Sequence, residues 1–209
     1  MVVMASLAGA ACASGPKSQQ SVNASESKSQ PPPQQTPPPG PAATGEVTVP
    51  ETGPCLFTGT PDPKKGSEGG PAMLLTDVRL GSHGCFDRVV FEFRPRPGQP
   101  DGPVGYTVEY RPGPITEDPS DKPVQMKGTT FLVVRLDATG FDLSKPDAPA
   151  TYTGPPAVEA ADTTRIRQVR RAGDFEGVAT WVIGLDSKRP FRVTTEPTPT
   201  RLVVDVGDG

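Results

Sequence analysis

Hydrophobic and polar residues alternate in several short runs through the second part of the chain. FDRVVFEF at 86–93, YTVEY at 106–110 and FLVVRLD at 131–137 each keep one side-chain character at every other position, and Gly, Pro and Asp bound them. Period two marks a strand with one buried face. A second group follows, with FEGVATWVIGL at 175–185, FRVTT at 191–195 and RLVVDV at 201–206.

The two groups match in order. Phe86 and Asp87 align with Phe175 and Glu176, Val89 with Val178 and Phe93 with Val182. Tyr106 and Val108 align with Phe191 and Val193, and Leu132, Val134 and Leu136 with Leu202, Val204 and Val206. A short candidate strand precedes each group, LLTDVRL at 74–80 and TRIRQVR at 164–170. The pattern therefore predicts one four-strand unit used twice. Each unit is expected to form a small antiparallel sheet with one apolar face, which neither can bury alone. Stacking the two gives an all-β sandwich over residues 71–209. The stretch from Arg111 to Lys127 reads as a surface loop, and 138–163 as the link between units.

The first part of the chain has no such pattern. Residues 1–12 form an uncharged apolar segment, MVVMASLAGAA, ending at Cys12. It resembles the end of a bacterial lipoprotein signal, in which small residues precede a cysteine whose thiol accepts a diacylglycerol. Gly9 stands where leucine is usual, and no Lys or Arg precedes, as expected if the true start lies upstream. From 13 to 70 the chain is rich in Pro, Ser and Gln, including PPPQQTPPPGP at 31–41, and reads as a semi-rigid spacer. Lipidation of Cys12 would leave Cys55 and Cys85, which an oxidising compartment would bridge. Two free thiols are the alternative.

Composition sharpens this division. Proline (28) and glycine (23) make up about a quarter of the 209 residues, near the edge of disorder. Twelve of the prolines lie before residue 71 and the rest fall mostly between candidate strands, so the excess marks a tether and turns. With 21 basic and 24 acidic residues, a net charge of −3 provides no footprint for nucleic acid. No cofactor motif is readable. His83 is the single histidine, which leaves no imidazole set for zinc or a relay. None of the loop serines has the context of a nucleophile elbow. Glu117, Asp118 and Asp121 lie in a Pro-rich loop whose spacing matches no EF-hand, so no metal site is expected there. The chain is read as non-catalytic.

Binding chemistry has more to work with. If Val178, Thr180 and Val182 face inward, as their counterparts in the first unit do, then Ala179, Trp181 and Ile183 face outward. An outward Trp181 would offer a flat platform for a sugar ring; alternatively, a loop covers it as a second small core. Arg165 and Arg167 are expected on one face, suited to carboxylates or phosphates, unless they simply pair with neighbouring acids. Asp87 and Glu176 are expected to satisfy backbone donors at strand starts.

The succession CFDRVVFEF, YTVEY, FLVVRLDA, DFEGVATWVIGL, PFRV and PTRLVVDVGD resembles the AMIN-like domain of secreted and lipid-anchored bacterial proteins, related to the AMIN modules of cell-wall amidases. The resemblance covers about residues 74–209. It implies a two-sheet β fold that targets or binds in the envelope, with peptidoglycan or an associated wall polymer as ligand. The expected protein is an extracytoplasmic lipoprotein held to the membrane by its lipid. A scaffold recruiting an envelope enzyme or transport complex is the alternative.

Overall fold

A computed structural model describes residues 56–67 and 70–208. Cys12, Cys55 and residues 13–55 of the expected tether lie outside the described residues; the last part of that expected spacer belongs instead to the folded part, since Lys64–Gly66 pairs with Tyr106–Val108 and Thr60 bridges to Phe191. Every regular element among the described residues is a strand: β1 (Lys64–Gly66), β2 (Met73–His83), β3 (Phe86–Pro95), β4 (Tyr106–Arg111), β5 (Thr130–Leu136), β6 (Ala138–Thr139), β7 (Ala157–Val158), β8 (Ile166–Phe175), β9 (Val178–Leu185), β10 (Phe191–Pro197) and β11 (Thr200–Gly207).

They form two sheets packed face to face, as the alternation predicts. One sheet has six strands in the order β1-β4-β5-β9-β8-β7, and the other has five in the order β10-β11-β3-β2-β6. Pairing is antiparallel except between β2 and β6.

The repeated units are distributed differently from the expectation of one sheet each. The hairpin β2–β3 of the first unit pairs through β3 with β11 of the second, while β5 of the first pairs with β9 of the second. Each sheet is therefore the first hairpin of one unit joined to the second hairpin of the other. The segments 96–105 and 186–190 carry the chain from one sheet to the other. Each unit leaves an apolar edge, β3 and β5 or β9 and β11, and only the other unit supplies its mate.

The structure also corrects the alignment of the units. The tight turn of β2–β3 is Gly84–Cys85, between the paired His83 and Phe86; that of β8–β9 is Glu176–Gly177, between Phe175 and Val178. Glu176 and Gly177 both have positive φ, 52° and 81°, as a two-residue hairpin turn with matching twist requires. The counterpart of Phe86 is thus Val178, and Phe175 lies before the turn. The Phe-acidic pairs that seemed to match sit on opposite sides of their turns. A shift of three residues reverses which face every β9 side chain takes.

The core follows from this register. Val89, Phe91 and Phe93 of β3 and Ala179, Trp181, Ile183 and Leu185 of β9 all point between the sheets. Trp181 meets Phe91 of the opposite sheet at 6.0 Å between ring centroids, and Tyr152 of the connecting segment at 5.3 Å with near-perpendicular planes. Such edge-on contacts add about 0.5–1.5 kcal/mol each to the area they bury. On the outside of the six-stranded sheet, Val133, Ala172 and Val182 form a second small core beneath Ile115, Val124 and Met126. The loop after β4 thus folds back over the sheet as a flap.

Candidate functional site

The residues singled out for binding do not come together. Trp181 has no exposed surface and lies in the main core, so it is not an outward platform. The physical reason is the register: Thr180 and Val182 take the outer face instead. Arg165 is 8% exposed and serves as a tie between sheets. Its amide and those of Thr164 and Ile166 donate to one oxygen, Oδ2, of buried Asp87 at 2.7, 3.0 and 2.9 Å. Its guanidinium reaches Asp87 Oδ1 at 3.5 Å and Asp208 at 2.5 Å. Asp87 thus satisfies backbone donors at a strand start, that of β8. Glu176 occupies the β8–β9 turn. Arg167 pairs with exposed Asp186. A bulge between Ile166 and Gln168 interrupts the alternation on which a shared Arg165–Arg167 face depended. The bland alternative of pairing with neighbouring acids describes both arginines.

Cys85 lies in the β2–β3 turn and is not a free thiol. Its expected mate, Cys55, and the lipidation candidate Cys12 lie outside the described residues.

A different surface has the chemistry of a site. On the outer face of the five-stranded sheet, β10, β11 and β3 place Arg192, Asp205 and Arg88 side by side in one row. Asp205 is 1% exposed. Its Oδ1 accepts from Arg88 Nε at 2.6 Å, and its Oδ2 accepts from Arg88 Nη2 at 3.0 Å and Arg192 Nε at 2.8 Å. Hydrogen bonding to Asp205 holds the Arg88 pKa above its ordinary value, against the opposing effect of burial. Two cations around one buried carboxylate leave a local surplus of positive charge. The side chains of Arg88 and Arg192 are 30% and 37% exposed, so both remain partly accessible to solvent while paired with Asp205.

Aromatic rings adjoin this row. Phe86 lies under both guanidinium groups at 5.1 Å, and Phe57 lies 5.2 Å from that of Arg192. His83, exposed at the end of β2, stacks on Phe86 with centroids 5.1 Å apart and planes 16° from parallel. Phe57 reaches the sheet because Gly207 has no side chain; a Cβ there would lie 2.1 Å from the ring. The result is a cluster of rings and guanidinium groups stacked on one another, with His83 its exposed ring and fork-shaped donors beside it. It suits a ligand with apolar ring faces and with hydroxyl or carboxylate acceptors at its edge.

Nothing in the alternation pattern singles out His83, Arg88, Arg192 or Asp205 as a group. The available signal was a charged residue at an outward position in each of three strands. It becomes a row only when β10, β11 and β3 are known to be neighbours.

The chain matches a family model described as AMIN-like domain over residues 73–208, the span from β2 to the end of β11. No curated protein and no solved structure matches it.

Proposed function

Because the chain belongs to the AMIN-like domain family, we propose that it is a non-catalytic module of the cell envelope that binds peptidoglycan or an associated wall polymer. AMIN-like domains are in general extracytoplasmic targeting modules related to the cell wall. The observation that carries the choice of surface is the Arg192–Asp205–Arg88 row beside Phe86 and His83. A glycan strand presents ring faces that stack on aromatic side chains, and its acidic substituents match the spare guanidinium donors.

In this reading Cys12 carries a diacylglycerol, the chain from 13 to about Cys55 spans from membrane to polymer, and a Cys55–Cys85 disulfide fastens the end of the tether to the β2–β3 turn. Acylation of both the glycerol and the new amino terminus would give enough hydrocarbon for a stable anchor. The motivation is the lipobox-like sequence and the composition of the tether. Metabolic labelling with a radioactive fatty acid tests the anchor: label is expected on the wild type and absent from Cys12→Ser.

Purified sacculi test the binding. Retention of the full chain at low salt is expected, with at least a tenfold loss in an Arg88→Gln, Arg192→Gln double variant whose fold is intact. No retention of the wild type would sink the polymer reading. Retention that the double variant does not alter would move the site elsewhere. Crosslinking in cells that returned one dominant protein, and no wall fragments, would favour a recruiting scaffold instead.

A further inference from the structure

The two sheets are built alike, and the same row exists in both. With the corrected register, Arg192, Asp205, Arg88 and Gly81 of one sheet correspond to Thr107, Arg135, Thr180 and Gly173 of the other. In the first row both arginines are paired with Asp205. In the second, Arg135 stands between two threonines, with no hydrogen bond or ion pair to its guanidinium among the described residues. Thr180 is 8% exposed, and its hydroxyl is buried without a hydrogen-bond partner. A buried hydroxyl left unpaired costs about 1–3 kcal/mol, which a bound acceptor or donor would recover.

These groups form the floor of a cleft of about 470 Å³ between the sheet and the flap. That volume falls within the range of small-molecule sites, roughly 300–1,000 Å³. Val133 and Val182 continue the floor, and Ile115 and Pro114 line the flap side. Glu117, Asp118 and Asp121 of the flap also line the cleft, as does Arg111, whose guanidinium is paired with Glu109. The flap is fixed over Gly173, where Asp118 N donates to Ala172 O at 2.9 Å and a Cβ on Gly173 would come within 2.8 Å of Asp118 O. No three acidic, His or Cys side chains among the described residues converge as a metal site.

We propose that this cleft binds a short peptide in its zwitterionic form. The peptide's carboxylate sits on the Arg135 guanidinium and the Thr180 hydroxyl, its ammonium group on the Glu117–Asp121 carboxylates, and its apolar side chains on Pro114 and Ile115. A carboxylate accepts the guanidinium fork with two oxygens, and an ammonium group has three donors for the carboxylates. A ligand with both charges matches a cation on the floor and carboxylates on the flap. A free amino acid has the same pair of charges in a smaller body. The site lies on the opposite sheet from the polymer-binding surface and does not depend on it.

Amide chemical-shift mapping of the full chain, titrated with Ala-Ala-Ala, tests the proposal. Shifts are expected on β5, β9 and residues 114–121. Acetylating the amino end or amidating the carboxyl end should each weaken binding at least tenfold. Arg135→Gln and the isosteric Thr180→Val should do the same with spectra otherwise unchanged, whereas Arg88→Gln should have no effect. Free alanine binding at the same residues as tightly as the tripeptide would also support the zwitterion, and would assign it to an amino acid. No shifts at millimolar peptide, or equal binding of the blocked peptides, would overturn the proposal whether or not sacculi retain the protein.

Discussion

The Oδ2 oxygen of Asp87, on β3 of one sheet, accepts the backbone N–H of Arg165 at 2.7 Å where the chain enters β8 of the other. Asp87 has no exposed surface, and the same oxygen also serves the amides of Thr164 and Ile166. One carboxylate therefore fixes where the second unit begins relative to the first. Removing it strands three amides and leaves Arg165 without its buried counter-charge. Asp87→Ala is expected to lower unfolding free energy by about 3–5 kcal/mol, and Asp87→Asn by less, since its amide oxygen still accepts. Urea denaturation checks this, and a loss under about 1 kcal/mol for the alanine variant would refute the role of the tie.

Trp181 is the single tryptophan, and it is fully buried between the sheets. Its fluorescence is expected to lie to the blue, to resist iodide quenching, and to shift red only on global unfolding. Its Nε1 has no hydrogen-bond partner. Trp181→Phe therefore loses ring volume but also removes an unsatisfied donor, and a net loss under about 2 kcal/mol is expected. Trp181→Ala should lose about 3–5 kcal/mol. Sacculus retention should be unchanged in the phenylalanine variant; a selective loss of retention would return Trp181 to the binding surface.

Register explains both what the sequence made readable and what it hid. Runs such as 86–93, 131–137 and 201–206 alternate cleanly because each has one face in the core, so strands and a sandwich were legible. Strand partners were not, because the contacts joining β3 to β11 and β5 to β9 are made between distant parts of the chain. Phe86–Asp87 and Phe175–Glu176 look alike yet play different parts, one opening a strand and one entering a turn. That resemblance shifted the alignment by an odd number and sent Trp181 to the wrong face. Bulges at Ile166/Gln168 and Arg171/Gly173 leave no sequence mark that alternation can detect.

Asp208 links stability to pH. Hydrogen bonding to Arg165 holds its carboxyl below the usual carboxylate range, with Arg189 contributing. The folded pKa is depressed, so the stabilisation is fully present above the unfolded value of about 3.9 and is lost as pH falls through the lower folded value. Asp208→Asn should lower Tm above about pH 5, and the gap from the wild type should close as pH drops below about 4. Because Asp208 is half exposed, the effect should be small and should shrink in high salt. A gap that persists unchanged to pH 2 would count against the mechanism.

The exchange of hairpins between sheets makes a strong prediction about fragments. A chain cut in the connection between β6 and β7 gives one piece, residues 1–145, carrying both hairpins of the first unit, and another, 146–209, carrying those of the second. In each piece the hairpins belong to different sheets, so each keeps at most a strand of two or three residues at its outer edge (β1, β6 or β7) and is in effect a two-stranded ribbon with its inner strand unpaired. A two-stranded ribbon is marginal in water at best. Had each unit formed its own four-stranded sheet, a piece would retain all its pairings and lose only one packed face. With the observed topology it also loses the ladder β3–β11 or β5–β9, and with it the backbone partners of its most apolar strands. Each piece alone is therefore expected to lack slowly exchanging amides. Mixing the two should restore protection on all four central strands together and shift Trp181 emission to the blue. Slow exchange in one piece by itself would show that the unit is self-sufficient and that the crossed pairing is not what completes the fold.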